Sequence, residues 1–324
     1  MPLFIAIATL MWSLPAISQG EIAFMRDGCV WVLDVETGAE RRIAEAQYDR
    51  PVTWSPDGTH LLWWDHRSGG WDLWRRDADG SNPANLTPET TGGCRSPSFS
   101  PDGSRIAFMR DDPAGLWIMN ADGSDMRQLS ERGHRDVPPQ WSPDGARLLY
   151  GDLEERDDGD LAMIIRLFDL ASNDDRSLAK GDEAQWISDA QFIYFGRAQG
   201  ERVIRSASIN NAGTIASDDV FVHGTSPALS ADRSRIAFAR AAAGTIEIRT
   251  IDIATRSEQL LCAREDASAE VLLRWSPDGS QIVIWEAGDE DADLSIVDAS
   301  TGAESHLFHG VFAFPAWRPG GLSR

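Results

Sequence analysis

A five-residue string, Trp-Ser-Pro-Asp-Gly, constrains the fold of this chain more than any other feature. It occurs at Trp54–Gly58, Trp141–Gly145 and Trp275–Gly279, and a close copy begins at Phe99. Weaker copies begin at Trp186, Leu229 and Trp317. These seven anchors lie 42 to 46 residues apart. A repeat of that length is typical of one four-stranded blade of a β-propeller.

Each interval contains the same pieces, which we name strands A to D. Strand A ends at the anchor, and the Ser-Pro-Asp-Gly turn leads into strand B. Proline fixes φ in such a turn, and glycine can take the left-handed conformation that closes it. Strands C and D are joined by turns such as Asp77–Gly80 and Asn120–Gly123. The interval therefore predicts four antiparallel strands.

The two ends of the chain complete the pattern. Ile22–Met25, Val30–Asp34 and Arg41–Ala44 read as strands B, C and D without a preceding A, and Val311–Trp317 reads as an A strand. We therefore predict an all-β, seven-bladed β-propeller over residues 20–321, in which the C-terminal strand A joins the N-terminal strands. Closure of this kind leaves few exposed sheet edges. The anchor tryptophans are expected to pack between neighbouring blades, and blade five is the least regular repeat.

The repeat resembles that of a known family. Its pattern, [W/F]-S-P-D-G-x-x-[I/L]-x-[F/Y], is followed at 116–123 by Leu-Trp-Ile-Met-Asn-Ala-Asp-Gly. This is similar to the WD-type repeat of TolB-like bacterial periplasmic propellers. The resemblance implies an envelope protein with a protein partner. TolB proteins carry an additional N-terminal α/β domain and a six-bladed propeller, whereas seven blades are predicted here.

Residues 1–19 are apolar and uncharged, and they contain a small-x-small pattern at Ala16–Ser18. Because Pro15 interrupts the stretch early, a signal peptide is favoured over a membrane span. We expect a periplasmic or secreted monomer with no membrane insertion after signal removal. The chain has 51 acidic and 30 basic residues, a formal charge of −21. Nucleic acid is therefore excluded as the expected partner, because phosphate binding needs clustered Lys and Arg.

The strand order assigns the loops to two faces. The A–B and C–D turns share one face and are short and repetitive, whereas the D–A and B–C loops share the other and vary. Variable loops on a rigid scaffold usually carry function. We therefore predict binding at the second face, the channel-mouth face. Its candidate residues are Tyr48, Asp49, Arg50, Arg95, His134, Arg135, Asp136, Asp182, His223, Glu270 and His309.

Two B–C loops are distinctly acidic. Their carboxylates are Glu154, Glu155, Asp157, Asp158 and Asp160 in blade four, and Asp289, Glu290 and Asp291 in blade seven. Such loops are either solvated charge or a docking surface for a basic partner segment. The alternating Arg and Asp residues of the face are either ion pairs between loops or the lining of a polar ligand site.

The function expected from these features is non-catalytic binding of a protein or peptide partner, with no cofactor. No G-x-S-x-G elbow is present, and carboxylates without geometry nominate no catalytic residue. The alternative is a metal-dependent propeller enzyme, a lyase or lactonase-like hydrolase, at the channel mouth. His134, His223 and His309 are its candidate ligands, because imidazole suits transition metals. Hydrogen-bonded loop histidines are the other interpretation.

Overall fold

The computed structural model describes residues 20–47, 50–66, 69–88, 92–134, 137–155, 161–265, 270–287, 292–310 and 312–320. Within these ranges the chain forms 28 strands in seven antiparallel sheets of four. Each sheet contacts the next one in chain order, and the sheet that contains the last strand contacts those on both sides of it, which closes the ring. The prediction of a seven-bladed β-propeller is confirmed.

The first four blades have the following strands. Blade 1 contains β1 (Glu21–Arg26), β2 (Cys29–Asp34), β3 (Glu40–Glu45) and the last strand of the chain. Blade 2 contains β4 (Thr53–Trp54), β5 (His60–Asp65), β6 (Asp72–Asp77) and β7 (Ala84–Asn85). Blade 3 contains β8 (Cys94–Phe99), β9 (Arg105–Asp111), β10 (Ala114–Asn120) and β11 (Arg127–Ser130). Blade 4 contains β12 (Gln140–Trp141), β13 (Arg147–Glu155), β14 (Leu161–Asp169) and β15 (Asp174–Lys180).

The remaining blades follow the same order. Blade 5 contains β16 (Asp182–Ser188), β17 (Gln191–Ala198), β18 (Glu201–Ile209) and β19 (Ile215–His223). Blade 6 contains β20 (Thr225–Leu229), β21 (Arg235–Ala242), β22 (Thr245–Asp252) and β23 (Glu258–Arg264). Blade 7 contains β24 (Glu270–Trp275), β25 (Gln281–Ala287), β26 (Ala292–Asp298) and β27 (Glu304–Gly310). The last strand, β28 (Phe312–Trp317), pairs antiparallel with β1 and places Trp317 opposite Ile22.

A repeated hydrogen bond joins neighbouring blades. Each anchor tryptophan donates its indole Nε1–H to the main-chain carbonyl just before the anchor of the preceding blade. The pairs are Trp54 to Ala316, Trp141 to Ser98, Trp186 to Gln140, Trp275 to Ala228 and Trp317 to Arg274, at 2.9–3.3 Å. All five side chains are 4–8 % exposed. The expectation that they pack between blades is confirmed.

The Ser-Pro-Asp-Gly turns satisfy their own polar groups. The Asp102 carboxylate accepts hydrogen bonds from the Ser100 hydroxyl at 2.5 Å and the Ser104 amide at 3.0 Å. These donors lower the pKa of Asp102 to about 2. Arg105 then crosses to the next blade, where it donates to the carbonyl of Gly145 at 2.9 Å and lies 4.8 Å from the Trp141 ring. The polar groups of these turns therefore stabilise the fold.

Candidate functional site

A cavity of about 860 Å³ opens on the channel-mouth face between blades 5, 6 and 7. We call it the blade 5–7 cavity. Its charged wall residues are Glu183, Glu201, Arg202, Arg240 and Glu270. His223 lies beside them, and Phe195 and Ile246 supply apolar surface. The volume falls within the range of small-molecule pockets.

Small residues of blade 6 make room for the cavity. The connection between β19 and β20 is Gly224 alone. A Cβ on this residue would lie 2.6 Å from the Phe238 ring and 2.8 Å from the carbonyl oxygen of Ala239, so only glycine fits. Ala239 and Ala241 line the same wall with methyl groups alone. Gly224 thus allows β19 and β20 to lie close together, and the two alanines leave the volume of the cavity unfilled.

Glu183 combines an unusual backbone with a destabilised charge. Its φ is +50°, a left-handed conformation that disfavours any residue with a Cβ by about 1–2 kcal/mol. A β-bulge between Asp182 and Gln185 produces it. Burial, and then the charges of Asp182 and Glu270, raise the pKa of Glu183 above its ordinary value, against the attraction of Arg274. A carboxylate with a perturbed pKa is typical of a functional position.

The left-handed residue recurs at one position of the repeat. Ser96, Glu183, Ser226 and Phe314 each stand three residues before their anchors, and all have φ between +50° and +57°. Register shifts interrupt strand A around each of them. The bulge is therefore part of the blade design, and Glu183 is the member of the set that presents a carboxylate.

Asp182 adds a second carboxylate beside Glu183. Burial raises its pKa, and the nearby charge of Arg202 acts in the opposite direction. Its Oδ1 atom is buried and accepts no hydrogen bond from the described residues. A buried acceptor without a donor is unfavourable. Asp182 is thus short of a hydrogen-bond donor at this atom.

Arg274 occupies the innermost strand of blade 7. Burial lowers its pKa, and the carboxylate of Glu183 partly restores it. The side chains of Arg274 and Glu183 are both exposed to water. Many protein atoms nevertheless surround their charged groups, and this burial is the main cause of both pKa shifts. A charge that protein atoms surround in this way is solvated less well than a charge in bulk water.

The rim of the cavity is held by ion pairs. Arg240 makes two hydrogen bonds to Glu258, at 2.8 and 2.9 Å, and a third to the carbonyl of His223 at 3.0 Å. The Nδ1 atom of His223 lies 3.3 Å from the Glu201 carboxylate. Arg202 stacks over the ring of Phe195 at 5.3 Å. Arg240 is therefore neutralised within its own blade.

Three of the residues named from the sequence come together here. His223 and Glu270 line the cavity, and Asp182 precedes its central carboxylate. Sequence reasoning did not single out Glu201, Arg202 or Arg274. Arg274 carried a usable signal, because a charged residue directly before an anchor must lie on an innermost strand.

Other candidates lie elsewhere on the ring. Arg50 lies 4.9 Å from the Trp64 ring, and Arg95 lies 4.6 Å from that of Trp71 while bonding Asp111 at 2.9 Å. Arg95 and Asp111 thus form one of the expected ion pairs. Tyr48, Asp49, Arg135 and Asp136 lie outside the described residues.

The acidic loops are described only in part. Glu154 contacts Arg166 at 3.2 Å, and Glu155 is exposed. Asp157, Asp158, Asp160, Asp289, Glu290 and Asp291 lie outside the described residues. Glu154 therefore takes part in an ion pair within its blade.

The three candidate metal ligands stand apart in different parts of the ring. His309 contacts Asp293 through Nδ1 at 2.9 Å, and His223 contacts Glu201. The main-chain N–H of His134 donates to the carbonyl of Gly151 at 2.7 Å. Among the described residues, no group of three or more His, Cys, Asp or Glu side chains is placed to hold a metal ion.

The fold and the cavity define a seven-bladed propeller with a ligand-sized opening on its channel-mouth face. The TolB beta propeller domain family matches residues 85–265, more than half of the chain. The chain belongs to this family. Within the described ranges, no helical segment has the length and hydropathy needed to cross a lipid bilayer.

Comparison with individual proteins agrees with this placement. The Tol-Pal system protein TolB of Anaeromyxobacter dehalogenans is 36 % identical over 136 residues, which are 39 % of this chain and 30 % of that protein. The chain thus spans less than a third of the relative's length in the match. The TolB structure from Acinetobacter baumannii aligns with a TM-score of 0.56 at 17 % identity, covering 93 % of this chain and 82 % of that one. An oligogalacturonate lyase in complex with manganese aligns with a TM-score of 0.67 at 14 % identity, covering 89 % and 85 %. Likeness at such identities shows the fold alone.

Proposed function

We propose that this protein is a binding propeller that receives a segment of a protein or peptide partner in the blade 5–7 cavity. The observation that carries the proposal is Glu183, a carboxylate on left-handed backbone that faces a cavity of about 860 Å³. Carboxylates with a perturbed pKa are concentrated at positions that bind a ligand or act in chemistry. The mixture of charged, imidazole and apolar groups on the wall suits a peptide side chain.

The alternative of a metal-dependent lyase or hydrolase has weaker support. Its candidate ligands His134, His223 and His309 have separate contacts, as described above. The likeness to the manganese-bound lyase rests on the fold. Binding of a polypeptide therefore accounts for more of the observed geometry than metal chemistry does.

We further propose that the protein acts in the cell envelope. Curated relatives are named as TolB of the Tol-Pal system, and residues 1–19 have the composition of a signal peptide. The expected result is a mature protein in the periplasmic fraction whose intact mass places its N-terminus near Gly20. An intact mass that includes residues 1–19, or recovery from the cytoplasmic fraction, contradicts export.

The binding proposal is tested with a positional-scanning library of short soluble peptides. Ala241 is exposed on the cavity wall, so Ala241→Trp places an indole where the partner should lie. Ala254→Trp is the matched control, because Ala254 is an exposed residue of the same blade at the C–D turn on the opposite face. We expect Ala241→Trp to weaken the bound pools about tenfold or more. Equal binding by both variants, or no bound pool with the wild type, contradicts the proposal.

A further inference from the structure

We infer that the blade 5–7 cavity selects a basic side chain, lysine or arginine, from the bound segment. This inference rests on the proposed function and names the chemistry of its partner. It starts from the balance of charge around the cavity, in which the carboxylates are not matched by cations.

The negative groups come from three strands. Asp182 and Glu183 lie on β16, Glu201 begins β18 and Glu270 begins β24. Asp182 and Glu270 both raise the pKa of Glu183 through their negative charge, so both lie close to it. The buried Oδ1 of Asp182 still lacks a donor among the described residues. A positively charged group in the cavity would offset the repulsion that acts on Glu183.

The cavity has fewer positive groups than negative ones, and one of the positive groups is already in an ion pair. Arg240 donates two hydrogen bonds to the Glu258 carboxylate, so its charge is already balanced outside the cavity. Among the lining residues, Arg202 alone is left to balance Glu183, Glu201 and Glu270. Asp182 and Arg274 lie outside the lining and act on Glu183 with opposite signs. His223 pairs with Glu201 at the rim. The cavity is therefore acidic, and a cation that enters it gains interactions that water cannot supply as well.

The shape of the wall fits an alkyl chain with a charged end. Ile246 and Val271 line the cavity beside the carboxylates. Lysine and arginine stems pack along such apolar surface while the charged group reaches a polar partner. An acidic side chain would meet Glu183 and Glu270, and a purely apolar one would leave the carboxylates without a partner. The carboxylates of the cavity therefore disfavour acidic and apolar side chains alike.

The first arm of the test uses the peptide library. Pools that fix lysine or arginine should bind more tightly than pools that fix leucine or glutamate. The second arm takes the tightest lysine peptide and replaces its lysine by norleucine, which keeps the methylenes and removes the ammonium group. We expect an affinity loss of about tenfold or more with the wild-type protein.

The third arm locates the effect with protein variants. In Glu183→Gln the loss from lysine to norleucine should shrink to about twofold or less, because the two changes remove one interaction. Glu36→Gln is the matched control, since Glu36 is exposed in the C–D turn of blade 1 on the opposite face, and it should keep the full loss. If Glu183→Gln does not fold, Glu270→Gln gives the same readout for a second carboxylate of the cavity wall.

The outcomes distinguish a failure of this inference from a failure of the proposed function. Peptides that bind, and are blocked by Ala241→Trp, without any preference for lysine or arginine leave the proposed function standing and overturn the inference. An equal lysine-to-norleucine loss in Glu183→Gln and in the wild type also overturns it. Free 1,5-diaminopentane that competes at the same concentration as the peptide shows a site for small amines and contradicts a peptide side chain as the occupant. If no pool binds, the proposed function itself fails.

Discussion

Trp54 of blade 2 donates its indole N–H to the main-chain carbonyl of Ala316 at 3.1 Å, although 262 residues separate the two along the chain. Ala316 lies on β28, which is paired with β1. The same bond is repeated at four other seams of the ring. Here it joins the last strand to the second blade, so it fixes the closure of the propeller.

We expect Trp54→Phe to destabilise the closing seam. The change removes a buried donor, leaves the Ala316 carbonyl without its partner and opens a small void, with a loss of about 2 kcal/mol in the free energy of unfolding. Denaturant unfolding measures this loss. Trp117→Phe is the control, because the indole of Trp117 bonds the carbonyl of Pro113 in an exposed position. An equal loss in the two variants contradicts the role assigned to the seam.

The turn carboxylates are expected to make stability depend on acid. The pKa of Asp102 is lowered to about 2 by its hydrogen bonds. Because the pKa of Asp102 is lower in the fold than in the unfolded chain, its ionised form stabilises the fold at a pH above the ordinary pKa of aspartate. This stabilisation is lost as the pH falls toward 2. Asp102→Asn should therefore lose about 0.5 kcal/mol at neutral pH, a small value because solvent screens the exposed turn. The wild type and the variant should converge near pH 2 in denaturant unfolding, and a pH-independent difference contradicts the account.

The opposite sign is expected at Glu183. Its pKa is raised, so the protonated form suits the fold and its stabilising effect is lost as pH rises through that pKa. Glu183→Gln, which stays neutral, should melt about 1–2 °C above the wild type at neutral pH. The difference should vanish below the ordinary pKa of glutamate. Lower stability of the variant at neutral pH shows that Glu183 is a structural anion, which contradicts the site proposed here.

At the left-handed bulge, glycine should be more stabilising than valine, which is the reverse of the order expected in a regular strand. Ser226 has φ of +53°, so Ser226→Gly should preserve stability or raise it by up to about 0.5 kcal/mol, whereas Ser226→Val should lower it by about 1–2 kcal/mol. Ser305, in strand β27, is the control site, because extended backbone favours valine over glycine there. Thermal melts of the four variants compare the two sites. The same order of stability at both contradicts the bulge.

The architecture could be predicted from the sequence because the repeat carries it. The spacing of Trp54, Trp141 and Trp275 and the unmatched strands at the two ends fix the blade number without any tertiary information. The seam bond between Trp54 and Ala316 could not be predicted in detail, since it depends on how one blade docks on the next.

The site was harder to predict because its residues come from three blades. Asp182, His223 and Glu270 were selected only for their place in D–A loops, and nothing in the sequence distinguished them from Arg50 or His309. The cavity arises where Gly224 shortens a connection and the alanines of β21 leave space. The left-handed backbone of Glu183 has no sequence signal, because glutamate is not a residue that favours it.

The central claim is that a peptide binds in the blade 5–7 cavity, and methyl NMR of isoleucine-labelled protein tests it most directly. Ile246 lies on the cavity wall, and Ile253 lies in the same blade at the C–D turn of the opposite face. On titration with the tightest peptide of the library, the account predicts that the Ile246 methyl signal shifts in a saturable way while that of Ile253 stays unchanged. A saturable shift at Ile253 with no change at Ile246 would contradict it.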